Sequence, residues 1–306
     1  MSNNYSFWVA LFCLVVLVSK DVEGGDPGGP IPAKDADKIQ FALNLEFFEA
    51  EFFCNGATGR GLDGIAPGFA KGGPPPIGAQ RANLDNLTRQ IFEEFCYQEV
   101  GHLRAIITAY GGFPRPLYDL SNQSFATVFD KAVGYKLIPP FDPYASSVQY
   151  LLASYVIPYV GLVGYVGTIP ELADSNARRL VSGLLAVEAG QDAVIRSLLY
   201  EIADKKVEPY NVTVAEFTDL ISGLRNKLAA TGNKDEGLTV PKELGAEKKI
   251  ESNILSADAN SVSYSRTPME ILRVVYGSGN ESQAGGFLPR GGNGRIARSF
   301  LDKNIN

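Results

Sequence analysis

The chain has 306 residues, 45% hydrophobic and 20% charged, with formal net charge −6 and a single histidine. That apolar content excludes a wholly disordered chain and suffices for one large domain or two small ones. The acidic balance, with no basic stripe, argues against nucleic acid as the main partner, and one histidine excludes three-His zinc sites and carboxylate centres that need two.

Phe7 to Val18 is an uncharged, mostly apolar run. It is too short to span a membrane and fits a signal peptide over residues 1–24, although no Lys or Arg precedes it. A short buried N-terminal helix is the bland alternative. A signal peptide implies the secretory pathway, ending outside the cell, in the wall or in a vacuole. Sequons at Asn86, Asn122, Asn211 and Asn280 agree with that route, each weakly. Removing the signal also removes Cys13 and leaves Cys54 and Cys96, too few for a disulfide-built scaffold.

Gly24 to Pro32 is a linker. A first helix is expected from Asp35 to about Gly56, with Asp35 and Asp37 in its first turn and apolar residues at helical spacing. A Gly/Pro loop follows to Gly78. A second helix runs from about Arg81 to Tyr110, stopped by Gly111-Gly112 and Pro114. One short helix fits near Phe125 to Val133. No charged residue occurs between Pro143 and Pro170. Tyr144, Tyr150, Tyr155, Tyr159 and Tyr165 are spread along this stretch, and Pro158 interrupts it. Both features favour a helix buried in a bundle over a membrane span. Gly161, Gly164 and Gly167 would let a neighbouring segment approach closely. A further long helix runs from Asp174 or Ser175 to about Ala203. Another begins at the Thr213-x-x-Glu216 capping box and ends at Thr231-Gly232. The remainder is polar and Gly-rich, with one helical piece from Pro268 to Tyr276. No strand pattern is visible, so the fold class is all-α.

Long helices with carboxylates on apolar faces point to a metal centre. In di-metal carboxylate bundles two helices each give one Glu and two others each give Glu-x-x-His. The second helix carries Glu99-Val100-Gly101-His102, which uses the only histidine. The first carries Glu46 and Glu49, and the fourth carries Glu188-Ala189-Gly190-Gln191. Carboxylate oxygens with an imidazole suit iron or manganese.

The chain resembles the plant desiccation-related proteins of the ferritin-like superfamily, of the kind that accumulates in drying resurrection plants. The resemblance rests on Phe41 to Phe53, Gln98 to Ile106, Tyr159 to Gly167, Leu185 to Asp192 and the tail from Thr267 to Gly294. It covers about residues 33 to 300. It implies a four-helix ferritin-like bundle over 33–205, a C-terminal extension over 206–306 packed on it, and a role in drying stress.

Carried over by position, Glu46 takes the place of the first-helix carboxylate, and Glu99 with His102 fill the first Glu-x-x-His. Glu188 fills the second Glu, while Gln191 stands where the second His belongs. The third helix has Ile157, Pro158 and Tyr159 where an acid is expected. The candidate ligands are therefore Glu46, Glu99, His102, Glu188 and Gln191. A core histidine in a metal-free network of carboxylates, Gln191 and tyrosines is the bland reading. Glu49, Glu51, Glu93 and Glu94 read as solvated or supporting groups, and Tyr155 and Tyr159 as core aromatics.

The expected function is protection in drying tissue, without catalysis, through sequestration of iron or manganese. A metal-dependent oxidase or peroxide-consuming enzyme, and a structural protein with a vestigial site, are the alternatives. The oligomeric state is open, with a homo-oligomer among the possibilities. If Glu46 were level with Glu99 on antiparallel helices, Cys54 and Cys96 would be offset by about 7 Å along the axis. That offset favours free buried thiols.

Overall fold

The computed structural model describes residues 33–301. The signal segment, Cys13 and the Gly24–Pro32 linker lie outside the described residues. The helices are α1 (Asp35–Thr58), α2 (Leu62–Ile65), α3 (Asn86–Tyr110), α4 (Asn122–Val133), α5 (Ser147–Tyr155), α6 (Pro158–Thr168), α7 (Ser175–Glu201), α8 (Val214–Ala229), α9 (Pro268–Val275) and α10 (Arg295–Leu301). Among the described residues only isolated bridges, and no strands, accompany them. The fold class is all-α, as expected from the sequence.

Local chemistry sets the ends of the long helices. Asp85 accepts the Thr88 backbone N–H at 2.9 Å, so α3 starts a turn later than the apolar pattern alone suggests. Asp174 caps α7 by accepting from Asn176 and Ala177. Thr213 and Glu216 exchange hydrogen bonds at the start of α8. Gly59, with φ +76°, closes α1 in the left-handed region.

Every residue of α1 from Leu43 to Cys54 is buried. A helix covered all round must lie at the centre, and it can carry acids there only if they find partners. The α1 helix packs along α3, and α6 packs along α7. Aromatic rings fill one end of the bundle. Phe52 stacks on Tyr150 with centroids 4.7 Å apart, and Phe92 meets the edge of the same ring.

The apolar segment Ser147–Glu171 is long and apolar enough to cross a membrane by length and composition. Here it is broken into α5 and α6 and is mostly buried. Pro158 has no N–H to continue the helix. Arg225 of α8 donates instead to the freed carbonyls of Tyr155 (2.5 Å) and Val156 (3.1 Å). The fully buried guanidinium also lies over the rings of Tyr155 and Tyr159 and pairs with Asp235. Tyr155 and Tyr159 are core aromatics, as expected. The Gly161-x-x-Gly164-x-x-Gly167 stripe does allow close approach. A Cβ at Gly164 would lie 2.7 Å from Ile271 Cδ1, and one at Gly167 would lie 2.5 Å from the Arg266 carbonyl oxygen.

The expectation of free thiols is corrected: Cys54 and Cys96 form a disulfide, with Cα atoms 4.7 Å apart. The axial register explains the difference. With the cysteines level and the helices antiparallel, Glu46 is level with Arg104 rather than with Glu99. The assumed register was slipped by five residues, about 7.5 Å.

Candidate metal centre

Glu46, Glu99, His102 and Glu188 converge, each offering a ligand atom, with these atoms within 4.8 Å of one another. All four are buried. They come from α1, α3 and α7, and each helix contributes the face that i, i+3 spacing turns inward. His102 Nδ1 lies 3.1 Å from Glu46 Oε2 and 3.3 Å from both Glu99 Oε2 and Glu188 Oε1. A single N–H can donate well to one oxygen only. Glu99 Oε2 and both oxygens of Glu188 are accordingly left without hydrogen-bond partners.

The remaining candidate, Gln191, is also buried. Its amide nitrogen donates to Glu99 Oε1 at 2.7 Å and to Gln98 Oε1 at 3.1 Å. Its own oxygen has no partner. So the structure brings the candidate ligands together, with Gln191 touching the cluster through Glu99.

Two assignments change. Glu49, read from sequence as solvated or supporting, is buried at the cluster, and its Oε1 has no hydrogen-bond partner. Glu51 is also buried, paired with the buried Arg115, which anchors the Gly/Pro loop through Pro74 and Gly73 carbonyls. Both faces of α1 are covered in this fold, so neither acid reaches water. Glu93 is half-buried and Glu94 exposed, as expected. Sequence reading also missed Tyr165, whose hydroxyl donates to Glu46 Oε1. Nothing in its spacing marks it among the other tyrosines. Glu49 did have a signal, since Glu46-x-x-Glu49 repeats the spacing of Glu99-x-x-His102.

The electrostatics are those of a site short of positive charge. Burial pushes the Glu49 carboxyl well above the usual carboxylate range, and the charges of Glu188, Glu99 and Glu46 push it further. Burial, then Glu188 and Glu46, does the same to Glu99. Burial raises Glu188 to about 7. For Glu46 burial is outweighed by the His102 charge and by hydrogen bonds, which hold its carboxyl below the ordinary value. For His102 burial is likewise outweighed, by Glu46 first, so its proton is held far above the usual range. Among the described residues no Lys or Arg pairs with any of these four carboxylates. Even with His102 charged, three of four buried negative charges would lack a counter-ion, a state that favours protonation or a bound cation.

The donor set fits a metal. Unpartnered buried oxygens surround an imidazole nitrogen, and oxygen with imidazole suits iron or manganese. Glu46, Glu99, His102 and Glu188 would hold the ion. Tyr165 would orient Glu46, and Gln191 would orient Glu99. On the α1–α6 side a void of about 20 Å³ lies among Glu46, Glu49, Gly161 and Tyr165, room for about one water. On the α7 side a groove of about 380 Å³ reaches His102, lined by Asn176, Arg179, Leu180, Gly183, Leu184 and Val187.

Comparison with known proteins agrees with this architecture. The ferritin-like domain family matches residues 34–201. The chain is 62% identical to a ferritin-like catalase, Nec2, of Nesocodon mauritianus over 87% of its length and 86% of the relative's. It is 53% identical to the desiccation-related protein PCC13-62 of Craterostigma plantagineum over 95% and 91%. No solved structure matches it significantly. The chain belongs to the ferritin-like domain family and, within it, to the desiccation-related proteins of plants.

Proposed function

We propose that this protein protects drying tissue by disproportionating hydrogen peroxide at a metal held by Glu46, Glu99, His102 and Glu188. The observation that carries the reading is the meeting of three buried carboxylates at one imidazole nitrogen. The 62% identity to a relative named as a catalase supports it. A redox-active iron or manganese supplies the electron shuttle by which one peroxide is reduced to water and another is oxidised to dioxygen, with protons balanced between them.

The chain's own residues supply the rest. The carboxylates and His102 bind the ion, while Tyr165 and Gln191 fix ligand orientation. The burial of the site excludes bulky reductants, and the groove beside His102 admits a molecule as small as peroxide. We assign the protein to the secretory pathway, with the wall, extracellular space or vacuole as destination. The Cys54–Cys96 disulfide suits an oxidising compartment, and the sequon residues Asn86, Asn211 and Asn280 are exposed.

Metal sequestration without turnover is the second reading. It is favoured by the amide of Gln191, which gives the site a weak neutral oxygen in place of a second imidazole. Metal analysis of the purified mature protein, followed by an oxygen-electrode assay with hydrogen peroxide, separates the two. Bound iron or manganese with dioxygen release supports the catalase reading. Bound metal without release supports sequestration. A chain that takes up no metal contradicts both.

A further inference from the structure

A cleft of about 240 Å³, partly open to solvent, lies between α4, α8 and α9, and none of the candidate metal ligands lines it. Backbone geometry keeps it unfilled. Gly277 and Gly286 stand at its edge with φ +61° and +51°, a region that L side chains rarely adopt. A Cβ at Gly286 would also lie 2.8 Å from the Tyr276 carbonyl oxygen. No side chain at either position can therefore close the cleft.

Its walls differ in polarity. One wall is α4, which presents Gln123, Ser124, Thr127 and Lys131. The facing wall is branched aliphatic, with Ile221, Leu224 and Leu228 of α8 beside Val274 of α9. Val156 and Ile157, buried at the break between α5 and α6, complete the apolar side. Phe287 is the one ring among the lining residues, so the walls suit an aliphatic body rather than a stacked aromatic one. The volume is below the ~300–1,000 Å³ of drug-sized sites, which limits the occupant to a single short chain.

Charge sets the orientation of such an occupant. Asp119 precedes α4 and Lys131 stands in its last turn, so opposite charges mark the two ends of the polar wall. Arg225 also lines the cleft, but its guanidinium is engaged by Asp235 and by the Tyr155 and Val156 carbonyls. Lys131 is exposed and has no acidic partner among the described residues. Its ammonium donates to the Gly277 carbonyl at 2.8 Å, and its other N–H groups are left for a ligand.

We propose that this cleft binds a short- to medium-chain aliphatic carboxylate, with its chain against α8 and α9 and its carboxylate on Lys131. The test is isothermal titration calorimetry of the full mature chain with butanoate, hexanoate and octanoate, and with octanol beside them. We expect a single site whose affinity rises by up to about 4-fold per added methylene until the cleft is full. Lys131→Met should weaken octanoate by about 5-fold and leave octanol unchanged. Leu224→Trp, which fills the cleft, should abolish the binding of both. Thermal unfolding checks folding, and the exposed Lys131 position carries the test if Leu224→Trp does not fold. Equal affinity for octanoate and octanol, with no effect of Lys131→Met, overturns the proposal. Full octanoate affinity in a folded Leu224→Trp places the site elsewhere, the metal centre included, and also overturns it. A wild-type chain with no saturable binding at millimolar octanoate overturns it outright.

Discussion

Gln191 of α7 donates its side-chain amide to Glu99 of α3 over 2.7 Å, at the position where the family resemblance leads one to expect a second histidine. The contact ties α7 to α3 one turn from His102. It spends the donor end of the amide on a carboxylate and leaves the acceptor end buried and facing no donor. The centre therefore depends on a single imidazole, and groups that orient its carboxylates matter more than in a site with two.

Tyr165→Phe tests one such group. The hydroxyl donates to Glu46 Oε1 from a fully buried ring. Its loss frees a carboxylate oxygen without changing the packing volume much. Metal affinity should fall by about 10-fold or more, the usual effect of removing a partner of a ligand. Titration with Mn(II) reads this. Unchanged affinity would show that Glu46 is oriented by His102 alone.

Gly183→Leu tests the groove. A Cβ at Gly183 meets nothing within 4 Å, so a side chain there extends into the space leading to His102. Replacing an exposed mid-helix glycine should also raise stability by about 0.5–1 kcal/mol. Peroxide turnover should fall while metal content stays constant and the melting temperature rises. Turnover at the wild-type rate would place the entry route elsewhere.

The disulfide links residues separated by 42 in sequence. Closing a loop of that size contributes about 4 kcal/mol through the unfolded chain in the entropic account. Cys54→Ser with Cys96→Ser, or reduction of the wild type, should lower the denaturant midpoint accordingly. If the reductant changes nothing in a chain shown to be oxidised, the bridge does not constrain the unfolded state as calculated.

Acid should weaken the start of α3. Hydrogen bonds from Ser147 and the Thr88 backbone hold the Asp85 carboxyl at about 2, below its ordinary value of 3.8. A depressed folded-state value means stability that is present above the ordinary value and lost as the pH falls towards 2. Asp85→Ala should cost about 1 kcal/mol at neutral pH as a lost N-cap. The gap between variant and wild type should then close between pH 4 and 2, measured by urea unfolding. A gap independent of pH would mean that the cap does not act through its charge.

Most of the helical frame could be read from the sequence because its signals are local. Asp174 and Thr213 mark helix starts by cap chemistry, and apolar spacing marks α1, α3 and α7. Glu46, Glu99, His102 and Glu188 were legible because the i, i+3 spacing is also local. Register was not. Whether Glu46 is level with Glu99 or with Arg104 depends on how two helices slide, and the Cys54–Cys96 pairing follows from that. The burial of Glu49 and Glu51 was hidden for a related reason. In a helix enclosed on every side, as α1 is, no polar face announces which acid reaches water. Tyr165 is positioned by the packing of α6 against α1, which no pattern within α6 encodes.

The central claim is that the His102 centre turns over peroxide through a bound metal. The most direct measurement is dioxygen release from hydrogen peroxide by the iron- or manganese-loaded mature protein, beside His102→Gln prepared in the same way. The account predicts about one dioxygen for every two peroxides consumed by the wild type, and at least a 100-fold slower release from His102→Gln. A fully loaded wild-type protein that releases no dioxygen, or a His102→Gln variant as fast as wild type, would contradict it.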